Sequence, residues 1–414
     1  MTAAYPPLKM TRPQWIFLLL LVASICINYI DRGSLSIAGP ILGKELSLSP
    51  LQLGILYSSF FWTYMSFQPV AGWLVDRYNV NWVYAAGFVI WSGATLATGM
   101  CSAFSTIFFV RLILGIGESV AYPSYSKILA GHFREDQRGV ANSLVDVGSK
   151  TGPAIGVLIG GLFMAEYGWR VFFFAVGTAS LLWLIPWSIW APKDRALLPR
   201  EAGEVPTIRQ IVSKRAAWGT FFGLLCSNYV WYFMVTWLPS YFTMERHYSQ
   251  REMAIFGSVP FWGVAVASLT GGWLSDRWIA RGGSPNRVRK TFVGTGLMMC
   301  TLMLPAAMVH DPKLSMVLLT IACVSFGFFS SNVWAVTQTL AGPWAAGKWT
   351  GLQNCIGNIP GIVAPWFTGW VVKETGQFYY AFVAATFFLV AGTFFFLWMV
   401  PRVEPVDWSK DSRV

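Results

Sequence analysis

The sequence predicts an all-helical integral membrane protein built from two related halves. Hydrophobic residues make up 55% of the 414 residues and charged residues only 12%, about half the charge of a typical soluble domain. The hexapeptide Gly-Trp-Leu-Val-Asp-Arg at 72–77 returns as Gly-Trp-Leu-Ser-Asp-Arg at 272–277. Because the two copies lie about half the chain apart, we infer that one multi-helix unit occurs twice.

Twelve apolar runs justify the helices in chain order. Each run has roughly 20 residues or more, enough to cross about 30 Å of hydrocarbon. We predict one spanning helix for each run, six in each half. The runs lie near 14–39, 51–74, 83–102, 105–128, 140–164, 170–192, 217–243, 252–274, 290–309, 313–340, 349–372 and 378–401.

The longest polar segment separates the two halves. Residues 193–216 follow the sixth run and contain Pro199 and Pro206, which is typical of a linker rather than of a folded domain. We therefore predict an N-terminal six-helix bundle over 1–192, a cytoplasmic linker over 193–216, and a C-terminal six-helix bundle with a short cytoplasmic tail over 217–414.

The basic residues indicate the orientation. Of the 30 Lys and Arg residues, 21 fall in segments on the side of both termini, six on the other side and three inside the runs. Cytoplasmic segments carry the excess of Lys and Arg in membrane proteins. We predict cytoplasmic termini, a multi-pass location in the inner (plasma) membrane and a monomer. The net charge of +11 then reflects topology, so a nucleic-acid partner is not expected.

Motifs for catalysis and metal binding are absent from the sequence. The six cysteines lie inside or at the edges of apolar runs and have no metal-ligand spacing. No nucleophile elbow or phosphate-binding loop is present. We therefore predict no enzyme activity, no catalytic residue, no metal and no cofactor. A membrane receptor or a membrane-embedded enzyme would need an added domain or a catalytic constellation.

Six ionisable residues fall inside the apolar runs, and all belong to the first half. A charge on a spanning helix costs at least about 2.5–3.5 kcal/mol, so it normally faces a polar cavity or a partner. Three cations beside three acids favour a cavity for an anion with proton-titratable neighbours. The six are Arg32, Arg111, Lys150, Asp31, Glu118 and Asp146.

Helical spacing limits which of these groups can meet. Arg111 and Glu118 are seven residues apart and lie on nearly one face of the fourth helix. Asp31 and Arg32 are adjacent, so they point about 100° apart. One of them can face substrate while the other faces a neighbouring helix.

Two interpretations of these charges stay open. Asp146 and Lys150 are four residues apart and can pair along the fifth helix, and all six charges can be structural ion pairs. Alternatively, guanidinium groups hold a carboxylate through bidentate hydrogen bonds. The buried acids then carry the coupling proton, because a nearby cation and burial act oppositely on a carboxyl group.

Three motifs resemble a known family. Asn28-Tyr-Ile-Asp-Arg32 resembles the (N/C)YxDR stretch of the anion:cation symporter family, within the major facilitator superfamily. Residues 111–123, Arg-Leu-Ile-Leu-Gly-Ile-Gly-Glu-Ser-Val-Ala-Tyr-Pro, and residues 350–358, Thr-Gly-Leu-Gln-Asn-Cys-Ile-Gly-Asn, resemble its fourth- and eleventh-helix signatures. The resemblance covers nearly the whole chain and implies the major facilitator fold. It also implies that two acids carry protons and that two arginines serve substrate and coupling, namely Asp31, Glu118, Arg32 and Arg111.

Further site residues follow from the same resemblance to bacterial sugar-acid permeases. It implies that Tyr29, Tyr64, Ser331, Trp334 and Asn354 contact substrate. A departure occurs at Ser149-Lys150, where galactonate-type permeases have Gln followed by a residue that is not basic. We therefore add Ser149 and Lys150 to the substrate site, where Lys150 would bind a second carboxylate or a distal hydroxyl.

The repeated turn has a mechanical interpretation. Glycine allows close helix approach, and an Asp near a helix end can bind a neighbouring helix N-terminus. In the superfamily this cluster latches one conformation. The resemblance implies a latch formed by Gly72, Asp76, Arg77, Gly272, Asp276 and Arg277.

The leading functional hypothesis is proton-coupled uptake of a small organic anion, such as a sugar acid or a hydroxy- or dicarboxylic acid, by alternating access. The partners would be that anion, protons and the lipid bilayer. The alternatives are an aromatic-acid permease of the phthalate type, an anion exchanger or facilitator, and a sodium-coupled carrier.

Overall fold

The computed structural model describes residues 10–133, 135–192 and 206–408. Within them every regular element is a helix. The helices are α1 Arg12–Glu45, α2 Pro50–Arg77, α3 Val80–Thr98, α4 Phe104–Glu118, α5 Ala121–His132, α6 Glu135–Ile155, α7 Gly161–Tyr167, α8 Trp169–Leu182, α9 Leu184–Trp190, α10 Ile208–Val212, α11 Arg215–Met244, α12 Gln250–Ala280, α13 Pro285–Cys300, α14 Met303–Met308, α15 Pro312–Gly357, α16 Pro360–Thr375 and α17 Tyr379–Phe394.

Eleven stretches of the described chain are long and apolar enough to cross a membrane. Several predicted runs consist of two consecutive helices, such as α4 with α5 over Phe104–Leu129. The twelfth run forms α17 and a five-residue π-helical end at Phe395–Met399. The second run forms α2, whose 28 residues also suffice for a span although it is less apolar than the others. The predicted all-helical membrane fold is confirmed.

The outer surface agrees with a bilayer environment. Large apolar side chains such as Trp82, Phe109 and Phe387 are more than 60% exposed, a degree of apolar exposure that soluble monomers avoid over large patches. The chain is a multi-pass membrane protein.

Gly342 separates the tenth and eleventh runs inside α15. Its φ of 64° lies in the left-handed region, which a residue without a Cβ adopts readily. The two parts are the separate candidate spans Pro312–Gly342 and Lys348–Thr375, as the apolar runs predicted. The predicted linker lies partly outside the described residues, over 193–205. Its described part contains α10, which Thr207 caps by accepting from the Gln210 amide.

Contacts divide the chain into two compact units. The first comprises the described parts of Met1–Leu35, Ser59–Gly156 and Phe163–Arg200. Within it α3 packs against α4, α5 and α8. An aromatic cluster fills its interior, with Phe88 stacked on Trp183 at a centroid distance of 4.3 Å.

The second unit comprises the described parts of Ser36–Ser58, Val157–Leu162 and Glu201–Val414. Within it α15 packs against α11, α12 and α13, and α11 also packs against α16 and α17. The end of α1 and the start of α2 belong to this unit. There Ser36 donates to the Val235 carbonyl at 2.9 Å, and the Tyr57 ring meets Trp237 edge-on at 5.3 Å.

Candidate functional site

A buried ion pair joins α1 to α4 in the first unit. Arg32 donates from Nη2 at 2.8 Å and from Nε at 3.1 Å, and both bonds end on Oε2 of Glu118. Nη2 of Arg32 also donates to Oδ1 of Asn28 at 3.2 Å. Glu118 is fully buried and Arg32 is 8% exposed. This pairing differs from the Arg111–Glu118 neighbourhood that the seven-residue spacing suggested, because Glu118 reaches across to the first helix.

Asp31 lies beside this pair but faces a different neighbour. Its side chain is buried, and neither carboxylate oxygen has a hydrogen-bond partner among the described residues. Its electrostatic neighbours are Glu118, Arg111 and the hydroxyl of Ser180 on α8. Adjacent side chains on a helix diverge by about 100°, so Arg32 meets α4 while Asp31 is turned towards α8.

Aromatic rings surround the Arg32 guanidinium. Its carbon lies 4.7 Å from the ring centroids of Tyr29 and Phe60 and 4.9 Å from that of Tyr64. The Arg111 guanidinium lies 5.4 Å from the same Phe60 ring, and its Nη2 approaches the Arg32 carbonyl oxygen at 3.4 Å. Cation–π contacts of this kind stabilise a desolvated guanidinium by up to about 2 kcal/mol. The structure thus brings Tyr29, Tyr64 and both predicted arginines together.

Glycines in the fourth-helix motif allow this close packing. A β-carbon on Gly115 would overlap the Phe60 carbonyl and the Thr63 hydroxyl of α2, and Thr63 donates to the Leu112 carbonyl at 2.7 Å. A β-carbon on Gly117 would lie 2.7 Å from the Trp91 amide nitrogen of α3. The interpretation of these glycines as packing residues is confirmed. They hold α4 where Glu118 and Phe60 both reach Arg32.

A hydroxyl cluster that the motifs did not indicate lies near Glu118. Tyr84 on α3 donates to Ser24 on α1 at 2.7 Å, and its oxygen lies 2.9 Å from that of Tyr125 on α5. All three side chains are buried. Spacing carries a signal in retrospect, since Ser24, Asn28 and Arg32 recur every four residues on one helical face.

The fifth-run residues occupy α6. Ser149 donates to the carbonyl of Asp146 at 2.7 Å and to its Oδ1 at 3.2 Å. Ser149 is buried, whereas Asp146 and Lys150 are half-buried. A β-carbon on Gly152 would lie 2.8 Å from the Cys26 carbonyl of α1, so this helix packs closely against the one that carries Arg32.

The second unit contains the remaining predicted contact residues on α15. Ser331 donates to the Phe328 carbonyl at 2.9 Å and accepts from Nδ2 of Asn332 at 2.8 Å. Trp334 is half-buried one turn further along.

Asn354 belongs to a chain of hydrogen bonds that the sequence did not reveal. Nδ2 of Asn358 donates to the Asn354 carbonyl at 2.7 Å and to its Oδ1 at 3.0 Å. The Tyr232 hydroxyl on α11 donates to Oδ1 of Asn358. One turn before Tyr232, Asn228 donates to the Gly357 carbonyl at 2.7 Å.

The repeated turns form matching ring contacts at the ends of α2 and α12. Arg77 lies 5.7 Å over Trp73, and Arg277 lies 5.1 Å over Trp273. The side chain of Asp76 lies outside the described residues, whereas Asp276 pairs with Arg289 of α13 at 2.8 Å.

The two repeat glycines do not form the expected close approach. Among the described atoms, a β-carbon on Gly72 would meet nothing within 4 Å, and one on Gly272 would meet only Ser331, at 3.9 Å. The tight contact in the second copy is instead made by the preceding residue, Gly271, whose β-carbon would lie 2.9 Å from the Ser331 hydroxyl.

The fold and these intramembrane charges define a class, since ionisable residues inside a polytopic helical protein mark transport pathways. The family model described as Major Facilitator Superfamily matches residues 21–365 and 252–414. The chain belongs to the Major Facilitator Superfamily, and it is a transporter of the anion:cation symporter type.

Named relatives agree with this assignment. A probable galactarate/D-glucarate transporter of Escherichia coli (strain K12) is 31% identical over 403 residues, 88% of each chain. A chloroplastic ascorbate transporter of Arabidopsis thaliana is 28% identical over 87% of this chain and 70% of that protein. Among solved structures, a bacterial homolog of the human lysosomal transporter Spinster, in an inward-facing and occupied conformation, has a TM-score of 0.79 at 18% identity over 94% of this chain and 97% of that one.

Proposed function

We propose that this transporter moves a small organic anion, a sugar acid or a related hydroxy- or dicarboxylic acid, together with protons. One observation carries the proposal. Two acids and two arginines are buried together, and three of the four carboxylate oxygens, both of Asp31 and Oε1 of Glu118, make no hydrogen bond among the described residues. Such oxygens are positions where a proton can be accepted without breaking an existing bond.

Charge balance links the proton to the anion. Asp31, Glu118, Arg32 and Arg111 are neutral in sum when all four are ionised. An anion that binds the arginines adds a negative charge inside the membrane, which is costly. Protonation of one carboxyl group removes that excess charge. Anion and proton therefore stabilise each other's binding, and this coupling is reciprocal.

Residue roles follow from this scheme. Arg111 supplies the main carboxylate contact, and Arg32 couples that contact to Glu118. Tyr29 and Tyr64 border the anion, whereas Ser149 and Lys150 bind its far carboxylate or hydroxyl. Contacts from the C-terminal half come from Ser331, Trp334 and Asn354. The halves 1–192 and 217–414 alternate in access, and the repeated Asp-Arg turns latch one state.

The relatives support the substrate class. The proteins named above are a galactarate/D-glucarate transporter and an ascorbate transporter, and a further relative is a probable sulfoacetate transporter of Cupriavidus necator. All of these substrates are small organic anions. We therefore use D-glucarate as the first probe for this chain.

Proteoliposomes test the function directly. Purified protein is reconstituted, and uptake of labelled D-glucarate is measured with an inward proton gradient, with a sodium gradient at equal pH, and with neither. We expect accumulation with the proton gradient alone, accompanied by alkalinisation of the outside medium. Competition by galactarate, ascorbate and phthalate then ranks the substrate classes. Accumulation that requires sodium, or uptake that only exchanges internal for external anion, would exclude proton symport.

The orientation needs a separate test. We propose an inner-membrane location with both termini and residues 193–216 in the cytoplasm. A single cysteine introduced at Ser213, in a variant without the six native cysteines, should react with a membrane-impermeant maleimide only after the cells are opened. Labelling in intact cells would reverse the topology.

A further inference from the structure

The orientation of one amide in the second unit is fixed by its partners. The backbone carbonyl of Asn354 can only accept a hydrogen bond, so the atom of Asn358 that faces it at 2.7 Å must be the donor Nδ2. The other side-chain atom of Asn358 is then Oδ1, which accepts from the Tyr232 hydroxyl. No rotation of the Asn358 amide by 180° keeps both bonds.

The same reasoning extends to Asn354. Nδ2 of Asn358 also faces the side chain of Asn354 at 3.0 Å, and a donor must meet the acceptor Oδ1. Nδ2 of Asn354 therefore points away from Asn358. Among the described residues it makes no hydrogen bond, and the Asn354 side chain is half-buried rather than enclosed. The result is an outward NH2 group that offers two donors.

We propose that Tyr232 and Asn358 are positioning residues, which hold Asn354 with its NH2 group towards the transported anion. The group that Asn354 recognises is then an acceptor, a carboxylate or hydroxyl oxygen, and a donor group is rejected there. This inference rests on the proposed function, because it assumes that Asn354 meets the substrate. Tyr232 is 7% exposed and Asn358 is 8% exposed, so both act through Asn354.

Reversing the polarity of Asn358 tests the proposal. In Asn358→Asp the carboxylate accepts from Tyr232 on one side and requires a donor on the other. Asn354 should then turn its Nδ2 inwards and present Oδ1 to the substrate. We expect binding of D-glucarate, measured by isothermal titration calorimetry on the purified protein, to weaken about 10- to 100-fold, the range for losing a hydrogen bond to a charged group.

Asn228→Asp is the matched control for the added charge. It places the same carboxylate one helical turn away, on a residue whose amide bonds only the Gly357 carbonyl. We expect a smaller loss of affinity, because the orientation of Asn354 is unchanged. Equal losses in the two variants would show general charge repulsion and overturn the proposal.

A second ligand separates polarity from shape. The monoamide of D-glucaric acid retains one carboxylate for the arginines and offers an amide donor at its other end. The wild type should prefer D-glucarate, and Asn358→Asp should shift the affinity ratio towards the monoamide at least tenfold. Tyr232→Phe, which removes one donor and keeps the ring, should weaken D-glucarate binding about three- to tenfold and leaves a test if Asn358→Asp does not fold. An unchanged ratio in a folded Asn358→Asp, or unchanged affinity in Tyr232→Phe, would refute the positioning role. Absence of D-glucarate binding to the wild type would instead count against the proposed substrate class.

Discussion

Arg32 and Glu118 meet through a single carboxylate oxygen. Both guanidinium donors end on Oε2, at 2.8 and 3.1 Å, and Oε1 of the same carboxyl group has no hydrogen-bond partner among the described residues. A fork-to-fork pair would use both oxygens. The one-sided geometry keeps the helices together and leaves the second oxygen to receive a proton.

Glu118→Gln should uncouple transport from the proton gradient. The glutamine keeps an oxygen towards Arg32 and mimics the protonated acid, so anion binding and anion exchange should persist. Accumulation driven by a proton gradient should fall to the level reached without a gradient. Both are measured with labelled D-glucarate in proteoliposomes. Glu374→Gln is the control, since Glu374 forms an exposed pair with Lys373, and it should behave as the wild type. Gradient-driven accumulation in Glu118→Gln would remove Glu118 from the coupling.

Asp31→Asn should give the same uncoupling with a slower conformational cycle. Asp31 is turned towards Ser180 on α8 rather than towards Glu118's partner Arg32, so its protonation affects contacts between helices. We expect the exchange rate to drop further than in Glu118→Gln while D-glucarate affinity changes less than threefold. Exchange rates and affinities are measured on the same preparations. If both single variants accumulate anion, Asp146 becomes the acid to examine.

Arg111→Lys should weaken anion binding more than its charge predicts. Lysine retains the cation but loses the planar fork that matches a carboxylate. We expect a loss of about 1–3 kcal/mol, or roughly 5- to 150-fold in affinity. Arg170→Lys is the control, because Arg170 stacks on Trp169 at 4.2 Å outside the cluster. Near wild-type binding by Arg111→Lys would transfer the carboxylate contact to Arg32 or Lys150.

Much of the fold could be predicted from the sequence, because apolar runs of spanning length have one stable structure in a bilayer. Partner choice could not. Arg111 and Glu118 share a face, but seven residues separate them by about 10 Å along the axis, too far for direct contact. The partner that Glu118 takes, Arg32, depends on which helices are neighbours. Tyr232 was missed for a related reason, since one tyrosine among many aromatic residues gives no pattern until Asn358 is brought beside it.

Gly115→Ala should disrupt the site through packing alone. Its β-carbon would overlap the Phe60 carbonyl and approach the Tyr64 amide nitrogen at 3.0 Å, so α2 has to move. We expect a destabilisation of about 1–3 kcal/mol and weaker D-glucarate binding, because Phe60 and Tyr64 then leave Arg32. Thermal unfolding in detergent and calorimetry measure the two effects.

The control for Gly115→Ala is the same substitution at Gly93. A β-carbon there meets nothing within 4 Å, and alanine is the better helix former by about 1 kcal/mol. Gly93→Ala should therefore be neutral or slightly stabilising. Equal behaviour of the two variants would mean that the α2–α4 contact does not position the aromatic rings.

Asn332→Leu should destabilise the second unit more than Asp276→Asn does, although only the latter breaks an ion pair. Arg289 donates to Asp276 through Nη2 and to Asn332 through Nη1, each at 2.8 Å. Asp276 is 70% exposed in its side chain, and exposed pairs contribute only about 0–1 kcal/mol. Asn332 is fully buried and also donates to Ser331. Its loss leaves buried polar groups unsatisfied, which costs about 1–3 kcal/mol. Thermal unfolding of both variants gives the order. If Asp276 acts in the latch, Asp276→Asn should instead slow D-glucarate transport while its unfolding temperature stays close to the wild type. A larger stability loss in Asp276→Asn than in Asn332→Leu would contradict this ranking.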